Sequence, residues 1–152
     1  MAIIDRMAVF ICPGCGRREA SGERRMGHQP RGCHECGFGF LFELLDDYYP
    51  SPKTALVVCD NDRRILAAGH AATAVTGYAE RDLLGHDVVE RLGLGGWEGG
   101  DPTQRSLEWG VRVLGVQCTF RPRGSRRDQA ATADVFPAYD DDGGLLVALT
   151  PR

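Results

Sequence analysis

Two short cysteine pairs, Cys12-Pro-Gly-Cys15-Gly and Cys33-His-Glu-Cys36-Gly, constrain the N-terminal part of this chain more than any other feature of it. Two residues between cysteines let both sulfurs of a pair face one ion across a tight turn. The glycine after each pair, Gly16 and Gly37, allows a positive φ where the chain doubles back. Amides in such turns can donate to the thiolates and offset part of their charge. Four thiolates suit tetrahedral Zn²⁺ and leave no open coordination position, so the expected site is structural and not catalytic. His28 and His34 lie close in sequence, but four cysteines already fill the shell.

The chain around these pairs sets the context. No apolar run approaches the roughly 20 residues needed to cross a bilayer. Residues Met1–Ile11, broken by Asp5 and Arg6, lack the continuous apolar stretch and cleavage site of a signal peptide. A cytoplasmic chain is expected, in which the six cysteines are metal ligands and buried thiols, not a disulfide framework. A net charge of −3 gives no overall basic field for nucleic acid or membrane.

The module resembles the zinc ribbon family over roughly Phe10 to Phe40, with two such knuckles at the tips of β-hairpins. Rubredoxins have similar knuckles and hold iron, but they enclose it with aromatic side chains. The loop between these pairs is instead rich in arginine (Arg17, Arg18, Arg24, Arg25, Arg31). Zinc ribbons often touch nucleic acid through such loops. Here Glu19, Glu23 and Glu35 dilute the charge and no aromatic residue is interleaved for base stacking, so a protein contact is favoured.

Residues 38–52 contain Leu41, Leu44, Leu45 and Tyr48 at helical spacing. They predict a short connector helix closed by Pro50 and Pro52. Its apolar surface requires a packing partner, within the chain or in a second copy.

The remaining residues, 53–152, predict an α+β unit. Thr54–Cys59 and Arg64–Gly69 form a hairpin across the Asp60-Asn-Asp-Arg turn. Short helices follow over His70–Thr76, Ala79–Leu84 and Asp87–Leu92, the first two closed by Gly77 and Gly85. A fourth starts at the Asp101-Pro102 cap. Three strands finish the chain near Val113–Arg121, Ala130–Ala138 and Leu145–Thr150. The segment ALVVCDNDRRILAAGHAATAVTGYAERDLLGHDV, with Thr76-Gly77-Tyr78 and Leu83-Leu84-Gly85, resembles the start of a PAS domain. That resemblance spans residues 54 to 150 and implies a five-stranded antiparallel sheet with helices on one face. Gly69-His70 stands where the family usually has an asparagine after the second strand.

PAS domains bind ligands in the pocket under their helices, or bind protein partners. In the light-sensing, flavin-binding subfamily a reactive cysteine follows the Leu-Gly step. Val88 occupies that position here, while Cys59 and Cys118 lie on predicted strands as inert thiols. Haem iron accepts histidine, but His70 and His86 sit at helix boundaries, where capping or exposed roles are ordinary. The glycine-rich stretch before the fourth helix implies either a small pocket or a lid carrying Trp97. Asp140-Asp141-Asp142-Gly143 lacks the spaced ligands of a calcium loop and reads as a hairpin turn. Arg121, Arg123, Arg126 and Arg127 form a basic turn, read first as a solvated hairpin tip.

No catalytic constellation is present. The expected function is a non-enzymatic sensory or adaptor protein: a PAS-like domain (53–152) receives a ligand or partner, while a zinc module (1–37) and connector (38–52) dock a protein. The last strand is followed only by Pro151 and Arg152, so output is expected through residues 1–52 or a partner. The expected cofactor is structural Zn²⁺ on Cys12, Cys15, Cys33 and Cys36, with no organic cofactor. A homodimer is a further expectation. The alternatives are a nucleic-acid-binding regulator using the Arg-rich loop and a haem or flavin redox sensor.

Overall fold

A computed structural model describes residues 8–12, 15, 18–21, 28–29, 41–44, 50–69, 71–137 and 144–152. Two antiparallel sheets organise them. The first has four strands: β1 (Ala8–Ile11), β2 (Arg18–Ser21), β3 (His28–Gln29) and β4 (Leu41–Leu44), in the order β2-β1-β4-β3. The second has five: β5 (Ala55–Cys59), β6 (Ile65–Ala68), β7 (Val113–Phe120), β8 (Gln129–Pro137) and β9 (Leu145–Pro151), in the order β6-β5-β9-β8-β7. Between β6 and β7 lie the short helices α1 (Ala72–Thr76), α2 (Glu80–Leu83), α3 (Val88–Leu92) and α4 (Pro102–Trp109).

The connector helix expected over 38–52 is corrected at its centre. Leu41–Leu44 is strand β4, flanked by β1 and β3. The run Phe38-Gly-Phe-Leu-Phe-Glu-Leu-Leu is almost continuously apolar, and periodicity cannot tell a buried strand from a helix in such a run. Hydrogen-bonding partners on both sides decide it, and the N-terminal sheet therefore reaches at least to Leu44. Residues 38–40 and 45–49 of that expected helix lie outside the described residues, and Pro50–Pro52 are not helical.

The larger unit follows its local signals closely. Asp60 Oδ1 accepts from the Asp62 and Arg64 amides at 2.8 and 2.9 Å and closes the β5–β6 turn. Arg63 takes the left-handed conformation there, at φ 64°. Its guanidinium reaches Asp101 Oδ2 at 2.7 Å and Asp87 Oδ2 at 3.6 Å. These two aspartates are the N-caps of α4 and α3. One side chain thus ties the hairpin turn to two helix starts, where negative charge is already favoured by the exposed amides.

The Thr-Gly-Tyr and Leu-Leu-Gly motifs have structural roles. Buried Thr76 donates to Ala72 O at 2.7 Å and accepts from the Tyr78 amide at 3.1 Å. Gly77 turns the chain at φ 77°, and Gly85, at φ 79°, donates its amide to Ile65 O. Leu83 is wholly buried. At the end of β6, Glu80 Oε2 accepts the Ala68 amide at 3.0 Å and ties α2 to that strand.

Gly144 brings β9 in beside Cys59. Its φ is 111°, its amide donates to Asn61 Oδ1 at 2.7 Å, and a Cβ there would stand 2.6 Å from Cys59 O. Gly144→Ala must therefore move backbone against backbone. The expected cost is about 1–3 kcal/mol, read as a lower urea midpoint with unchanged slope. An unchanged midpoint contradicts this packing.

Candidate functional site

The five-stranded sheet has two faces with different neighbours. Alternation along β5 sends Ala55, Val57 and Cys59 to the helix side and Leu56 and Val58 to the other. β9 does the same, with Leu145, Val147 and Leu149 on one side and Leu146 and Ala148 on the other.

The helix-side face is filled by side chains. Phe120, Leu83, Leu92, Val88 and Val135 are all completely buried against it, and Trp97 from the glycine-rich segment packs on the same core. Val88, at the position of the flavin-binding subfamily's reactive cysteine, is one of these apolar core residues. Both thiols of this face are unreactive in character. Burial pushes the Cys59 thiol far above its ordinary range, Asp60 and Asp87 add to the effect, and Arg63 opposes it. Burial also raises Cys118, against the Arg152 charge. Such thiols stay neutral and behave as small apolar groups.

The opposite face carries the feature that links the two sheets. Leu56, Val58, Phe136, Leu146 and Ala148 are at most 5% exposed, although no described helix covers them. Ile11, at the end of β1, is completely buried in the same cluster. It is the one described member from outside the five-stranded sheet. Burying an isoleucine side chain stabilises by about 1.5–3 kcal/mol. The next residue is Cys12, also completely buried, and Cys15 follows in an exposed turn.

The strand registers arrange the two cysteine-bearing connections. Ile11 lies opposite Arg18 on β2 and opposite Phe42 on β4, and Gln29 lies opposite Leu41. Connections 12–17 and 30–40 therefore leave the four-stranded sheet at the same end. Cys12 and Cys15 belong to the first; Cys33 and Cys36 belong to the second and lie outside the described residues. Among the described residues, no three His, Cys, Asp or Glu side chains gather as a metal site. His28 pairs with Phe42 in the strand ladder. His34, His70 and the Asp140–Gly143 turn lie outside the described residues.

The helix-side rim has an open groove of about 1000 Å³ lined by Arg64, Tyr78, His86, Asp87, Glu90 and Arg91 among others. Arg91 lies 5.7 Å from the Tyr78 ring centroid and contacts exposed His86 at 2.6 and 2.8 Å. Acidic and basic groups alternate around it, so it favours neither sign of ligand. In the basic turn, Arg121 pairs with Asp128 at 2.9 Å and Arg123 with Asp82 at 3.3 Å. These exposed pairs contribute little to stability.

No family model matches this sequence, and no curated protein matches it either. Solved structures do match. The PAS domain of nitrogen regulation protein NR(II) from Vibrio parahaemolyticus superposes with a TM-score of 0.56 at 17% identity, over 67% of this chain and 92% of that one. The fold is that of a PAS domain. A PAS domain from Colwellia psychrerythraea matches with a TM-score of 0.53 at 17% identity, over 65% of this chain and 86% of that one. A fungal LOV-domain photoreceptor gives 0.53 at 17% identity, over 69% and 78%. The sheet order β6-β5-β9-β8-β7 and the position of the helices agree with the expected PAS-like architecture. No described helix is long and apolar enough to cross a membrane.

Raised thiol pKa values have a stability consequence. An unfolded cysteine ionises above about pH 8.5 while folded Cys59 stays protonated. The folded state then binds more protons, so this stability is complete below about pH 8.5 and falls as pH rises further. The urea midpoint should drop between about pH 8 and pH 10, and drop less in Cys59→Ala. An equal drop in both proteins assigns the alkaline limb to other groups.

Proposed function

We propose that this chain is a non-enzymatic sensory or adaptor protein. The PAS-fold domain receives a signal, and a four-cysteine zinc module seated on its sheet presents the output surface to a protein partner. The burial of Ile11, directly before Cys12, in the outer face of the PAS-fold sheet carries this reading. It joins the metal-ligand segment to the sensor domain by an apolar contact, with no intervening linker.

The donor set suits zinc. Cys12 directly follows strand β1 and Cys15 sits in the next turn, the placement a two-residue knuckle needs. The second pair belongs to the connection that leaves the sheet at the same end. Cys12, Cys15, Cys33 and Cys36 would hold the ion as thiolates, with no position left for substrate, so its contribution is structural. A reducing, cytoplasmic setting keeps such thiols available. The filled helix-side face supports a protein partner over a planar haem or flavin.

The purified full-length chain should contain stoichiometric zinc by metal analysis and no visible absorbance, and Cys33→Ser should lose the zinc. Affinity capture with the metal-loaded chain should recover a specific protein partner that chelation releases. Iron, a haem or flavin spectrum, or recovery indifferent to chelation contradicts the reading. Salt-dependent binding to DNA or RNA that disappears when Arg24 and Arg25 become alanine would favour the nucleic-acid regulator instead.

A further inference from the structure

The turn between β7 and β8 concentrates positive charge in an acidic chain. Residues 121–128 carry four arginines and one aspartate, while the whole chain has a net charge of −3. Arg121, Arg123, Arg126 and Arg127 are all exposed.

The backbone beneath them is fixed. Pro122 O accepts the Ser125 amide at 3.0 Å, and Gly124 takes φ 75° inside that turn. Ser125 Oγ accepts the Arg127 amide at 3.1 Å and donates to Arg127 O at 2.9 Å. Two helix ends pin the turn from below. The Arg123 amide donates to Thr76 O at 2.7 Å, and the Arg121 amide donates to Leu92 O at 2.9 Å. Gly77 and Gly93 permit this approach: a Cβ on them would stand 3.3 and 3.1 Å from the Cβ atoms of Arg123 and Arg121.

Folding uses only part of this charge. Arg123 meets Asp82 Oδ2 through Nη1 at 3.3 Å. Arg121 gives Nε and Nη2 to a single oxygen, Asp128 Oδ1, at 3.0 and 2.9 Å. A guanidinium has five N–H donors, so both arginines keep donors for a second carboxylate. Among the described residues, Arg126 and Arg127 meet no carboxylate. Beside the turn lies a groove of about 410 Å³ whose lining includes Arg91, Arg121 and Ser125. Like charges crowded on a fixed turn repel one another, and an incoming anion relieves that repulsion.

We propose that the β7–β8 turn is a docking surface for an acidic segment of a protein partner, held by Arg126 and Arg127 with Arg121 and Arg123 beside them. Charge complementarity sets the sign of the partner. Asp82, Glu90 and Asp128 stand among the arginines, which suits separated carboxylates better than the unbroken phosphate row of a nucleic acid. The aromatic ring in the groove, Tyr78, is faced by Arg91 at 5.7 Å and is not open for base stacking. A rigid backbone lowers the ordering cost of binding. This surface belongs to the PAS-fold domain itself and is independent of the cysteine site, so it goes beyond the function proposed above.

The test titrates fluorescein-labelled octaglutamate with the full chain and follows fluorescence anisotropy at low salt and at about 200 mM salt. Arg126→Glu with Arg127→Glu reverses the turn. Lys53→Glu with Arg105→Glu makes the same change in net charge at two exposed residues outside it. The original chain and the Lys53/Arg105 variant should bind alike, more weakly at the higher salt, and the reversed turn should bind about tenfold more weakly or worse. Arg126→Gln with Arg127→Gln should fall between. Absence of binding at low salt overturns the proposal. So does an equal loss in the two reversed variants, which would mean a response to net charge alone. Tighter binding of an oligothymidylate of equal length would make the turn a nucleic-acid surface and overturn it as well.

Discussion

The contact between Ile11 and the outer face of the five-stranded sheet is the interaction on which the arrangement of this molecule depends. An antiparallel sheet covered by helices on one side can leave its other side to water, and its strands then alternate apolar and polar. Here β5 and the first five residues of β9 are buried on both faces. Such a sheet needs a second cover, and Ile11 from β1 is the described residue that supplies it. The PAS-fold domain and the four-stranded sheet are therefore not beads on a string. They share a hydrophobic cluster.

That sharing gives the N-terminal cysteines a meaning that their spacing alone does not. A pair of cysteine knuckles by itself is a folding staple. Under the function proposed above, a knuckle set one residue from a side chain buried in another sheet would join the metal module directly to the PAS-fold domain. On the helix side, the two thiols are held neutral by burial, Val88 is a buried apolar core residue, and the rim groove around Tyr78 and Arg91 is electrically mixed.

Much of the PAS fold was legible in the sequence because its determinants are local. Asp87 and Asp101 announce helix starts, Gly77, Gly93 and Gly110 end helices with positive φ, and the Asp60 turn fixes a hairpin. Other features depend on residues far apart in the chain. Leu41–Leu44 carries a helical spacing of leucines inside a nearly uniform apolar run, and only its pairing with β1 and β3 makes it a strand. Nothing near Ile11 marks it as a cover for a sheet some 45 residues away, although a run such as Leu56-Val-Val, apolar on both faces, signals that a cover exists. Arg63 was similarly hidden: a non-glycine residue in a left-handed turn position, tied to two caps 24 and 38 residues on.

A double-mutant cycle between Ile11 and Phe136 tests the central claim most directly. Ile11→Ala, Phe136→Ala and the pair are compared by urea unfolding of the purified chain. Side chains that share one cluster should couple by more than about 0.5 kcal/mol. Losses that add to within about 0.3 kcal/mol would mean that Ile11 and the outer face do not touch, and the link between the four-stranded sheet and the PAS fold would fall with it.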